Sequence, residues 1–68
     1  MELQKVNSKT ILEMGYSPEG NFMHVRFSSG VLYQYNDISH EEFLSIKNDV
    51  SVGSKLRLVT KDKEYKKV

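Results

Sequence analysis

The chain contains no cysteine, so neither a disulfide framework nor a thiolate zinc site can compensate for a small core. Stability has to come from packing or from self-association. The same absence suits a reducing compartment, and the protein is expected in the cytoplasm. Tyrosine aside, apolar residues run no longer than two in succession, as at Ile11-Leu12 and Val31-Leu32. That excludes a membrane-spanning helix and the core of a signal peptide. Calcium-loop spacing, a Walker glycine loop, a dinucleotide fingerprint, internal repeats and low-complexity blocks are all missing.

What is present is enough for one core, because 68 residues cannot enclose two. The net charge of +1 predicts neither attraction to polyanions nor avoidance of them, but its distribution is uneven. Residues 1–54 hold four basic and seven acidic side chains, a net −3, and residues 55–68 hold six basic and two acidic, a net +4. The division expected is one domain over residues 1–60 followed by a charged, frayed tail over 61–68.

Alternation predicts three strands. In the first, Leu12, Met14 and Tyr16 fall on one face, Glu13 and Gly15 on the other, and Ile11 breaks the pattern. Ser17-Pro18-Glu19-Gly20 supplies a turn, with glycine available for positive φ near its end. In the second strand Met23, Val25 and Phe27 face the core, opposite Phe22, His24 and Arg26. Ser28-Ser29-Gly30 turns the chain into a third, where Val31, Tyr33 and Tyr35 alternate with Leu32 and Gln34. Loops this short imply an antiparallel meander.

Ser39 followed three residues later by Glu42 reads as a capping box, so a helix should start there. Phe43, Ile46 and Val50 form one stripe with Leu44 beside it, and Asn48-Asp49 ends the run. Residues 51–54 look like a linker into a second helical turn packed through Leu56, Val59 and Val52, although Leu56-Arg57-Leu58 also fits a strand. The expected architecture is α+β: a three-stranded antiparallel meander covered on one face by one or two short C-terminal helices.

Chemistry-bearing constellations are sparse. The two histidines, His24 and His40, lack a nucleophile to activate, and each reads as an exposed residue on a strand face or in a first helical turn. His40-Glu41-Glu42 cannot converge on a metal, because successive helical residues point in different directions. No catalytic residue, metal site or cofactor is expected, and no enzyme activity. Phosphates could be held by Lys55, Arg57, Lys61, Lys63, Lys66 and Lys67, although Asp62 and Glu64 dilute the field and favour a charged, solvated tail. The open sheet face could stack a base on Phe22 or His24 beside Arg26, or dock a protein through Phe22 and Leu32. One-sided cover also leaves such a mixed face without any special role.

Several elements now stand in a recognisable order: Ser8 and Ile11 leading into Gly15-Tyr16, Val25-x-Phe27 before Ser29-Gly30, the Tyr33-x-Tyr35 pair, Phe43, and Ser51-x-Gly53. Over about Val6 to Gly53 this order and spacing resembles the KTSC domain, a family named for the C-terminal domain of some lysyl-tRNA synthetases. The resemblance implies a small α+β fold that also stands alone in bacteria and phages, no enzyme activity, and RNA as a proposed ligand. Past Gly53 the family tends to carry an aromatic pair, an asparagine and a closing Tyr-x-Tyr-like end, where this chain has Lys55-Leu56-Arg57 and Tyr65-Lys66. Tyr33 and Tyr35 are expected to pack under the first helix with their hydroxyls at the rim, and Gly53 to serve backbone conformation. The function expected is a non-catalytic binding module for RNA. The rival is a protein-interaction or weakly self-associating module using the open sheet face.

Overall fold

The period-2 patterns do produce strands, but two more join them. In the computed structural model, which describes residues 2–68, β1 (Gln4–Lys5), β2 (Ile11–Ser17), β3 (Phe22–Phe27), β4 (Leu32–Asn36) and β5 (Tyr65–Lys67) form one antiparallel sheet in sequence order. Between β4 and β5 come α1 (His40–Lys47) and α2 (Val52–Thr60), whose buried residues join those of the sheet in a single core. The fold is α+β with two helices, as expected, and the expected three-stranded sheet is corrected to five. No helix among the described residues is long and apolar enough to cross a membrane.

Register decides which face of β2 is buried. Ile11 pairs with Phe27 and Glu13 with Arg26, so Leu12 is an additional residue without its own partner. Such a bulge shifts the alternation by one position. Ile11 and Met14 are therefore both fully buried while Leu12 is 47% exposed, the reverse of the expected roles of Ile11 and Leu12. In β3, Met23 and Val25 are fully buried and Phe27 packs against the core, as the pattern predicts.

The turn between β2 and β3 takes its positive φ at Asn21 (53°), not at Gly20. A Cβ at Gly20 would stand 2.4 Å from the Phe22 ring, so any larger residue there would have to displace that side chain. Beyond β4, Asp37 (φ 57°) turns the chain so that Ile38 drops into the core. The Ile38 amide donates to the Asn21 carbonyl at 2.9 Å and its carbonyl accepts from the Tyr16 hydroxyl at 2.8 Å.

The capping box at α1 forms as predicted. Ser39 Oγ accepts from the Glu42 amide at 3.1 Å, and Glu42 Oε1 accepts from the Ser39 amide at 2.9 Å. The Ser39 amide holds the Glu42 carboxyl below its ordinary pKa of 4.5; burial opposes this, and Lys63, 3.6 Å away, adds a smaller lowering of its own. A depressed carboxylate pKa contributes stability above the unfolded value, and that contribution disappears as pH falls through the folded one. Replacing Ser39 with alanine should cost about 1 kcal/mol near neutrality. Glu42→Gln removes the charge instead, and urea titrations should show the gap between this variant and wild type closing as pH falls below 4.5; an equal gap at neutral and acid pH would dissociate the Glu42 carboxylate from the cap.

Phe43 and Ile46 are buried, but α1 stops at Lys47 with Asn48 as its C-cap, which leaves Val50 fully exposed instead of on the stripe. The second helix begins at Val52, so Gly53 and Ser54 lie inside it and not in a linker. A Cβ on Gly53 would meet Thr10 Oγ1 at 2.9 Å. Gly53 thus brings α2 close to the start of β2 and does not serve an unusual backbone conformation. The segment expected to fray returns to the sheet: the Asn36 amide donates to Glu64, the Val68 amide donates to Leu32, and Lys63 Nζ reaches the Asp37 carbonyl at 2.9 Å.

Candidate nucleic-acid interface

Of the residues proposed for nucleic-acid contact, Phe22, His24 and Arg26 lie on the sheet face opposite the helices, because they alternate with the buried Met23 and Val25. That face is largely occupied with itself. Arg26 Nε donates to Glu13 Oε2 at 2.9 Å across the strand pair and its Nη1 donates to the Gly30 carbonyl at 3.0 Å. His24 Nε2 and Gln34 Oε1 are 2.9 Å apart, and Gln34 Nε2 donates to Asn36 Oδ1 at 2.9 Å. Phe22 lies against His24 with centroids 5.3 Å apart. Phe22 and Leu32, which would have needed explaining if fully exposed, are both partly covered. A guanidinium shared between a carboxylate and a carbonyl has two of its five donors taken and its charge already countered, which weakens its call on phosphate.

The cations after Gly53 are divided differently. Lys63 is drawn to Glu42 and the Asp37 carbonyl, and Lys66, paired with Gln34, belongs to the outer face. Lys55 is partly covered, whereas Arg57 on α2 and Lys61 at its C-cap are exposed. Arg57 lines three hollows that meet around it. One, about 620 Å³, is bordered by Ser8, Lys9, Thr10, Ser51 and Ser54; the second, about 300 Å³, by Phe27, Tyr35, Leu56 and Thr60; the third, about 280 Å³, by Ser54, Leu58 and Lys61. The outer-face trio and the α2 cations therefore stand on opposite sides of the sheet and cannot form one contact surface. Lys9, in the loop before β2, joins the second group; as an isolated lysine near the start of the chain it gives no local sign of this.

Tyrosines form the other feature of this side. Tyr33 pairs with Lys67 and Tyr35 with Tyr65, all on the face that carries Met23 and Val25. Tyr35 packs against the core and borders one hollow with Leu56 and Thr60, which places it on the α2 side and not under the first helix. Tyr33 is partly exposed and lies between Phe27 (5.5 Å, edge-on) and Tyr65 (5.6 Å, edge-on). Tyr65 also approaches Tyr35 at 5.8 Å and is 63% exposed. Burial, and then the neighbouring Tyr33 and Tyr65, push the Tyr35 phenol above its ordinary value of 10.0. Near neutral pH that phenol presents no negative charge to a polyanion. Among the described residues no group of three His, Asp or Glu side chains is placed to hold a metal ion.

These elements can be set beside known proteins. Residues 7–65 match the KTSC domain. The chain belongs to the KTSC domain family. The match runs past Gly53 to take in α2 and Tyr65, beyond the span that carries the resemblance in the sequence. An uncharacterized protein of Stutzerimonas stutzeri (strain A1501) is 30% identical over 66 residues, covering 97% of this chain and 93% of that one. A crystal structure of a KTSC domain protein from Yersinia pestis superposes with a TM-score of 0.91 over 98% of this chain and 96% of that one, at 24% identity. At that identity the likeness establishes a shared fold. Within the KTSC domain the motif residues Tyr33, Tyr35 and Gly53 all lie on the helix side of the sheet, two of them bordering the hollow shared by Phe27 and Arg57.

Proposed function

We propose that this KTSC domain is a non-catalytic RNA-binding module whose phosphate-facing surface is the one around Arg57 and not the open face of the sheet. The kinship with lysyl-tRNA synthetase appendages that the family name carries belongs to the same proposal. The observation that supports it is the contrast between two arginines. Arg26 is held by Glu13 and Gly30, whereas Arg57 makes no ion pair among the described residues and stands where three hollows meet, with Lys9 and Lys61 on their borders. A planar guanidinium with free donors beside two ammonium groups suits a phosphate backbone, and each phosphate neutralised releases condensed counterions.

Fluorescence anisotropy with mixed-sequence RNA at several salt concentrations tests this. Binding should weaken steeply with salt, and the double variant Arg57→Ala/Lys61→Ala should lower the slope of log K against log salt by about 2. Arg26→Ala should leave affinity within about twofold while costing up to about 1 kcal/mol of stability through its partly exposed ion pair. Salt-insensitive binding, or equal loss from Arg26→Ala and from the double variant, would overturn the assignment of this face.

A further inference from the structure

We infer that the nucleic acid taken by this domain is single-stranded, with unpaired bases stacked on the Tyr65 and Tyr33 rings while the Arg57 side holds the backbone. This inference rests on the RNA-binding reading and adds the class of RNA. The observation behind it is the state of Tyr65. A tyrosine on a three-residue edge strand would ordinarily be a mobile surface side chain. Here its ring is propped edge-on against Tyr33 at 5.6 Å and tilted against Tyr35 at 5.8 Å, yet it stays 63% exposed.

An aromatic ring fixed in place and left open is the requirement for stacking a base, because the ordering cost is met during folding and not on binding. Tyr33 is placed to extend the platform: it is partly exposed, its ring meets Tyr65 edge-on at 5.6 Å, and its cross-strand neighbour on the same face is Lys67. Tyr35 carries the aromatic surface inward to the hollow that Arg57 borders. Aromatic surface and cation are thus contiguous, as a strand with alternating bases and phosphates needs. In an A-form duplex the base faces are stacked on one another and closed to such a platform, so only splayed bases can use it.

The chain has four tyrosines and no tryptophan, and three of the four, Tyr33, Tyr35 and Tyr65, form this cluster, so intrinsic emission reports mainly on these rings. Titrating with an unstructured oligouridylate should quench tyrosine emission, while a blunt duplex of oligoadenylate and oligouridylate should bind on the order of 10-fold more weakly or less. Tyr65→Leu, which keeps a strand-forming side chain without the ring, should weaken single-strand binding on the order of 10-fold, and Tyr65→Phe should retain it. Amide spectra of both variants should show the β4–β5 pairing intact; if Tyr65→Leu unpairs β5, the same comparison is made with Tyr33→Leu. Duplex bound as tightly as single strand, or leucine at position 65 binding like wild type, overturns the inference and leaves RNA binding standing. Failure of both oligonucleotides to bind removes the RNA reading itself.

Discussion

Replacing Ile38 with alanine should destabilise the domain by about 3 kcal/mol, enough to leave a measurable fraction unfolded at physiological temperature. Ile38 lies in the connection between β4 and α1, where a solvated side chain would be the usual expectation, yet it is fully buried. Its amide and carbonyl tie that connection to Asn21 and to the Tyr16 hydroxyl, and the Tyr16 ring in turn stacks on His40 and Phe43 of α1. Deleting the side chain therefore opens a cavity where the sheet, the loop and the first helix meet. A single core of this size rarely supplies more than about 3–5 kcal/mol in total, so the loss is comparable with the whole net stability. Urea unfolding followed by circular dichroism should show a midpoint near zero for Ile38→Ala. Leu58→Ala, at a side chain 66% exposed, should stay within about 0.5 kcal/mol of wild type. Coincident curves for Ile38→Ala and wild type would mean that Ile38 is not in the core.

Such a residue shows where sequence and structure part company. The capping box of α1 was legible because its chemistry is local: Ser39 and Glu42 recognise each other across three residues whatever surrounds them. The buried faces of β3 and β4 were legible because strict alternation survives wherever register is regular. The start of β2 was not, since Ile11 and Leu12 are equally apolar and only the pairing with Phe27 and Arg26 selects which of them points inward. Ile38 was hidden for a similar reason: its burial follows from Asp37 turning at positive φ, and no periodicity marks a single residue in a loop.

The surface was legible by residue type and not by arrangement. Lys55, Arg57, Lys61 and Arg26 are all cations in the sequence, yet cross-strand register gives Arg26 to Glu13, while the helical spacing of α2 leaves Arg57 and Lys61 in solvent. Likewise the Tyr33-x-Tyr35 pair was visible, but its third member was not. Tyr65 lies thirty residues beyond Tyr35 in a charged segment whose three-residue strand is too short to show alternation, and it becomes part of the cluster only through the edge of β4.

The return of that segment carries the second large expected effect. Ending the chain at Glu64 should cost about 2–4 kcal/mol, which combines the loss of the β4–β5 backbone hydrogen bonds, each worth about 1 kcal/mol net, with the aromatic contacts of Tyr65, about 0.5–1.5 kcal/mol each. A frayed tail would contribute nothing, so the measurement separates the two states of residues 65–68 cleanly. The truncated domain would also expose the edge of β4 from Leu32 to Asn36, which in the intact chain is capped by a short, lysine-bearing strand. Uncapped edges of this kind pair with other chains, whereas lysines and brevity on the outermost strand discourage it. The truncated protein should therefore show both a lower urea midpoint and a mass that rises with concentration in light scattering. Both changes are expected together because one strand performs both roles. Wild-type stability after truncation would mean that β5 does not hold the sheet closed, and the tyrosine platform would lose its physical basis with it.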